Sequence, residues 1–317
     1  MRLTRVQAAV AAGIMALATS AGAALAGTGA ASAAQLPGSA AQLPGSAARA
    51  SARTPGYLYY DAGDYIARVP VAGGTPQRIV WVGNGSVTGM AISDGRLFWV
   101  TEDGELDPIS YISLSSVRPG VTAHARQLVT GLSFPLALVS AGGWLYWADE
   151  HAIGRVRPDG AQLTRRFISM PQESGGGVAD GLATDGSHLY FSRCQDDEIG
   201  RVSVSGAALD MSFIRLPQYA CPQQLTVGND HVYWTESGGH LGRATLQGAG
   251  VSISWLNTRN ADGPFNVAAD GANVYWDWGG AAGSPMYVGT ARVNGTGVRI
   301  KFLVGQGAFV DTAPGAS

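Results

Sequence analysis

The chain has 317 residues, 21 basic and 23 acidic side chains, a formal net charge of -2 and a charged fraction of 14%. That balance excludes a nucleic-acid binder driven by bulk positive charge, and a hydrophobic content of 46% excludes a charged disordered chain. The 45 glycines, about twice average usage, stand beside eight Trp, eleven Tyr and eight Phe, a mix that points to short strands and tight turns.

Arg2 and Arg5 precede an apolar stretch from Val6 to Ala26, and Ala31-Ser32-Ala33 follows as an A-x-A cleavage pattern. A basic start, an apolar middle and a small-residue end predict a secretory signal over residues 1–33 and hence an extracellular protein. The alternative is an uncleaved anchor, since about 20 apolar residues span a bilayer. The stretch is mostly Ala and Gly, however, and so only weakly hydrophobic. Residues 34–55 form a low-complexity linker, in which Ala33 to Ser39 repeats as Ala40 to Ser46. No later segment approaches 18 consecutive apolar residues, so no membrane span is expected once the signal is removed. A single lysine, Lys301, against twenty Arg has the look of a GC-rich bacterial genome.

From residue 56 onward the chain repeats. An aromatic pair recurs at Tyr59-Tyr60, Phe98-Trp99, Tyr146-Trp147, Tyr190-Phe191, Tyr233-Trp234 and Tyr275-Trp276, at steps of 39, 48, 44, 43 and 42 residues. Turn-forming pairs precede five of the six: Asp94-Gly95, Gly142-Gly143, Asp185-Gly186, Asn229-Asp230 and Asp270-Gly271. Small-residue apolar runs lie ahead of these turns, and strands such as Ile153-Gly154-Arg155-Val156 and Ile199-Gly200-Arg201-Val202 follow the pairs. Four strands per unit of this length predict an all-β, six-bladed β-propeller over residues 56–313, followed by a tail at 314–317. The first unit lacks a local first strand. The segment Gly307 to Thr312 has the pattern to supply it and close the ring. The aromatic pairs are expected to be core between blades.

Tyr233-Trp234-Thr235-Glu236 with Leu241-Gly242-Arg243, and Tyr146-Trp147-Ala148-Asp149 with Ile153-Gly154-Arg155, resemble YWTD repeats, the unit of low-density-lipoprotein-receptor propellers. The resemblance covers residues 56 to 313 and implies six blades and protein ligands. No unit reads YWTD throughout, and two cysteines cannot supply the Cys-rich modules that flank the receptor propellers. Asp180-Gly181-Leu182-Ala183-Thr184-Asp185-Gly186 is similar to a stretch of gluconolactonase-like hydrolases, which implies a divalent metal held in the channel by Asp180, with Asn266 as a second ligand. The Glu that such a set needs is missing from the matching level, where Thr88, Phe134, Pro135, Gln223 and Gln224 stand instead.

The scheme places 13 of the 23 acids between the second and third strands of the units, at one end of the propeller. An acidic face of this kind would attract cations, basic peptides or amines. Asp61 with Arg68, Asp149 with Arg155 and Glu236 with Arg243 recur at near-constant spacing and predict an acid–Arg pair fixing each loop. The non-repeating acids Asp103, Glu105, Asp107, Asp196, Asp197 and Glu198 are the ligand candidates, joined by His240 and Trp278. Alternating carboxylates around Gly104 suit calcium or another divalent cation, the one cofactor expected, though the twelve-residue calcium loop is incomplete. The bland reading of the same residues is solvated loop charge.

Cys194 and Cys221 are the only cysteines, and an even pair in an exported chain predicts a disulfide. Closing their loop of about 28 residues contributes roughly 3 kcal/mol in the chain-entropy model. No GxSxG, HExxH or phosphate-loop pattern is present. The reading is a monomeric secreted binding or scaffold module for a protein, a peptide or a cell-wall component. A metal-dependent lactone hydrolase centred on Asp180 is the alternative.

Overall fold

The computed structural model describes residues 56–83, 86–102, 107–149, 151–170, 179–236, 238–258, 263–279, 286–305 and 310–313. The expected signal, the linker to residue 55, the tail at 314–317, and Asp103 and Glu105 lie outside them. Among the described residues, no helix is long and apolar enough to cross a membrane.

The described strands form six four-stranded antiparallel sheets. The first contains β1 (Tyr57–Asp61), β2 (Tyr65–Pro70), β3 (Gln77–Trp81) and, beside β1, β24 (Val310–Ala313). The second runs β4 (Ser86–Ser93), β5 (Arg96–Glu102), β6 (Asp107–Ser113), β7 (Arg126–Leu132). The third runs β8 (Ala137–Ala141), β9 (Trp144–Ala148), β10 (Ala152–Val156), β11 (Thr164–Ser169). The fourth runs β12 (Leu182–Thr184), β13 (His188–Arg193), β14 (Glu198–Ser203), β15 (Asp210–Arg215). The fifth runs β16 (Leu225–Gly228), β17 (His231–Glu236), β18 (His240–Thr245), β19 (Ser252–Asn257). The sixth runs β20 (Val267–Ala269), β21 (Asn273–Gly279), β22 (Met286–Arg292), β23 (Arg299–Gly305). Neighbouring innermost strands touch one another, β4 with β8, β8 with β12, β12 with β16 and β16 with β20.

The aromatic pairs explain why the sheets stand side by side. Successive side chains of a strand point to opposite faces of its sheet. The first ring of each pair therefore enters the seam with the following blade, and the second ring enters the seam with the preceding one. Tyr146 packs with Leu182, Leu189 and Phe191 of the fourth blade, while Trp147 packs with Ala91, Phe98 and Val100 of the second. Six hydrophobic clusters result, one per seam, and the seam of the sixth and first blades holds Tyr60, Leu58, Tyr275 and Val288. Each fully buried ring contributes about 1.5–3 kcal/mol of transfer free energy.

In the third to sixth blades a glycine on strand three makes room for the second ring, whereas Ala67 and Ser110 face Tyr60 and Trp99 in the first two. Gly154, Gly200, Gly242 and Gly289 lie opposite Trp147, Phe191, Trp234 and Trp276. A Cβ on any of the four would fall inside the facing ring. The recurring glycine in these strands is thus a packing requirement of the aromatic pair.

Candidate functional site

Strand registers divide the loops between two ends. The turns joining first to second strands, such as Asp185 to His188, lie at one end. Loops joining second to third strands, such as 194–197 and the one holding Gly238 and Gly239, lie at the other. Arg215 pairs with Glu198, and Leu225 pairs with Trp234, so the connection 216–224 between blades also reaches that second end. The innermost strands begin there, and the predicted acidic face is this end.

The acids on it are largely spent on the scaffold. Asp61 accepts backbone hydrogen bonds from Gly63 (2.8 Å) and from Val87 of the second blade (3.1 Å). Asp277 accepts from the backbone and side-chain nitrogens of Asn266 at 2.7 and 2.9 Å. Asp149 accepts from the backbone of His151 and Ala152. Glu236 accepts the indole N–H of Trp234 at 2.5 Å. Ser192 and Thr235 take the same place in their strands as Asp277 and accept from the backbone N–H of Gly181 and Gln224. A polar residue at the end of the second strand thus caps the start of the first strand in three blades.

Burial sets the ionisation of these groups. It pushes Asp61 to about 7, against its two backbone hydrogen bonds and with a further push from Asp64. Glu236 is pushed to about 7 despite the Trp234 indole. Asp277 is fully buried and lies well above the usual carboxylate range, with Asp61 adding to the effect. Burial alone raises Asp180 to about 6.

The expected acid–Arg pairs do not form: no ion pair joins Asp61 to Arg68, Asp149 to Arg155 or Glu236 to Arg243. Each Arg lies directly across from the first aromatic residue of its unit, as Arg155 does from Tyr146, and not beside the acid at the strand end. From there it stacks on rings: Arg155 on Phe167 at 3.9 Å, Arg201 on Phe213 at 3.8 Å, Arg243 on Trp255 at 4.8 Å. Its free end reaches the next blade, as Arg201 does at Leu246 O and Arg243 at Val293 O. The repeat is a seam fastener and not a loop clamp.

Asp196 and Glu198 both pair with Arg193, and Arg215 approaches Glu198 at 3.7 Å. The two carboxylate oxygens of Asp197 accept the backbone N–H groups of Tyr219 and Cys221, each at 2.9 Å. Asp107 is fully buried at the start of β6. His240 starts β18 opposite Glu236 and is half-buried. Trp278 is 8% exposed, stacks on Tyr287 at 4.8 Å and donates its indole N–H to Ile300 O, so it sits in the sixth-blade core.

The predicted disulfide is present between Cys194 and Cys221 and ties the fourth-blade loop to the connection leading into the fifth. Asp180 and Asn266 belong to the fourth and sixth blades and share no hydrogen bond; Asn266 is engaged with Asp277. Among the described residues no group of three or more His, Cys, Asp or Glu is arranged to hold a metal ion. At the rim, Thr88 instead binds Pro135 O and Gln224 binds Asp180 O, each across a blade seam. Gly181 permits this closeness, because a Cβ there would strike the Gln223 carbonyl and the Gln224 Cα.

Sequence reasoning missed Tyr219, which is 82% exposed on this end. The signal was available in Pro217-Gln218-Tyr219-Ala220-Cys221-Pro222, a large aromatic residue where turn residues are expected.

These features define the class: the chain is a six-bladed β-propeller. It is similar to a chain of the nidogen/laminin complex, with 16% identity, a TM-score of 0.63, and coverage of 81% of this chain and 98% of that one. TolB from Acinetobacter baumannii matches at 12% identity and a TM-score of 0.57, over 82% of this chain and 67% of the other. The PQQ-bound aldose sugar dehydrogenase of Streptomyces coelicolor matches at 15% identity and a TM-score of 0.54, over 73% and 89%. At these identities the likeness is one of fold. No protein-family model and no curated protein sequence matches the chain.

Proposed function

We propose that the protein is a binding propeller that engages a protein, peptide or cell-envelope ligand on the face carrying 194–197, 216–224 and 238–239. One observation carries this reading. The carboxylates Asp61, Asp149, Asp197 and Asp277 are spent on backbone N–H groups of that face, and a disulfide crosses it. Such a surface is ordered before any ligand arrives, so binding costs little loop entropy. The similar chain in the nidogen/laminin complex supplies a precedent for this fold within a protein assembly. In the same reading residues 1–33 direct export, residues 34–55 space the propeller from its N-terminus, and β24 closes the ring.

The test is affinity capture from extracts of the source organism with three baits. One is the unaltered chain. The second carries Asp64→Arg with Gln195→Arg on the proposed face, and the third carries Ser187→Arg with Ala207→Arg at the opposite end. Capture lost only in the second bait supports the reading; capture lost only in the third, or equally in both, contradicts it.

A second reading, a lactone hydrolase using a divalent cation at Asp180, draws on the desolvated carboxyl of that residue. The binding reading predicts the same melting temperature in EDTA and in 1 mM calcium, manganese or zinc. A cation present at 100 times its dissociation constant would add about 2.7 kcal/mol and a clear upward shift. Such a shift, lost in Asp180→Asn, would favour the hydrolase.

A further inference from the structure

Tyr219 occupies a place that its own stability does not explain. It is the third residue of a turn closed by the Ala220 N–H on Pro217 O at 3.1 Å, and its φ is 70°. Turns of this kind take glycine or asparagine at that position, because a Cβ is strained there. Tyrosine brings the strain and recovers nothing by burial, since 82% of it is exposed, the most among the large apolar residues described as exposed.

The surroundings hold the strained turn in place. Cys221, two residues on, is also left-handed at φ 41°, and so is Asp197 at φ 56°. The Asp197 carboxylate binds the backbone of both Tyr219 and Cys221, and its carbonyl accepts the Leu216 N–H at 2.9 Å. The Cys194–Cys221 disulfide fastens the far side of the turn to the neighbouring loop. Three left-handed residues, a doubly engaged carboxylate and a covalent tie therefore converge on one loop, with the phenol ring projecting from it. Strain of this kind persists only where the surrounding structure over-determines it, and it concentrates at ligand-contacting sites.

We propose that Tyr219 is a pre-ordered aromatic anchor that inserts into a pocket of a folded protein partner. The inference rests on the binding reading and names its central contact. The geometry favours a protein over a glycan. A projecting ring needs a concave receptor, whereas a sugar chain lies along a flat or recessed aromatic platform. Tyr is also among the residues that dominate protein interfaces, because it offers a large contact area with few rotatable bonds. Holding the ring before contact removes the ordering cost from binding.

The test uses the full chain in the source organism with a benzophenone amino acid at position 219, and separately at positions 64, 195 and 81. Irradiation at 219 is expected to give one discrete protein adduct, absent when the probe is at Trp81 on the outer strand β3. The adducted protein is then purified and titrated against unaltered chain, Tyr219→Phe and Tyr219→Gly. Tyr219→Gly is expected to weaken binding at least tenfold while its melting temperature stays equal or rises, because glycine relieves the turn. Tyr219→Phe is expected to keep most of the affinity. Adducts from 64 or 195 without one from 219 overturn the anchor and leave the binding face standing. Absence of adducts at 64, 195 and 219 overturns both. A glycan adduct, a crosslinked dimer of this chain, or unchanged affinity in Tyr219→Gly also overturns the anchor.

Discussion

Asp61 and Glu236 carry buried carboxyls with no Lys or Arg paired to them, so they tie stability to pH. Both have folded pKa values of about 7, above those of the unfolded chain. Between the unfolded and folded values the native state holds protons that the unfolded chain has released. Stability is therefore fully present below about pH 4 for these groups and is lost as pH rises through about 7. Urea unfolding is expected to show a native state less stable at pH 8 than at pH 5 by on the order of 2 kcal/mol, with the slope reduced in Asp61→Asn and again in Glu236→Gln. Stability that is flat or rising over that interval would show that the two groups are not desolvated as described. At this scale the sequence was legible in identity and silent on state. It placed Asp61, Glu236 and Asp277 at one end, but burial depends on how adjacent blades meet. The arginines were misread for a related reason. Spacing along the chain put Arg155 six residues after Asp149, yet strand pairing puts it across from Tyr146, with its side chain in the seam.

At the scale of elements, periodicity carried most of the information. Aromatic pairs, turn dipeptides and Gly-Arg strands recur because every seam repeats the same packing problem, and a repeat is visible without any contact being known. The Cys194–Cys221 bridge was also legible, since the blade scheme alone brought both ends to one side. At Tyr219 the turn residues and the aromatic were legible, but the left-handed backbone was not, because at a non-glycine residue it leaves no compositional trace. β24 pairs with β1 from Tyr57↔Ala313 to Tyr60↔Val310 and also touches β4 and β20. If it closes the ring, deleting residues 310–317 exposes the edge of β1 and opens the seam holding Tyr60 and Tyr275. Deleting only 314–317 is then expected to leave the calorimetric transition unchanged. The longer deletion is expected to lower it by many degrees, broaden it and promote association on size-exclusion chromatography. Identical transitions for the two truncations would place ring closure elsewhere.

At the scale of the whole molecule, the two ends of the propeller differ in construction. At one end, short turns are stabilised locally, as where Asp185 and Asp270 take the hydroxyls of Tyr190 and Tyr275. At the other, carboxylates, a disulfide and longer connections build an ordered surface around the start of the innermost strands. Fold alone assigns no activity, because propellers host binding and catalysis alike. The difference between the ends is what points to one of them. The most direct measurement is amide hydrogen exchange of the propeller, alone and with the protein it captures. Slowed exchange is expected in 194–197, 216–224 and 238–239, with no change at 142–143, 185–187 and 229–230. Protection confined to those turns or to the outer strands would contradict the assignment of this face.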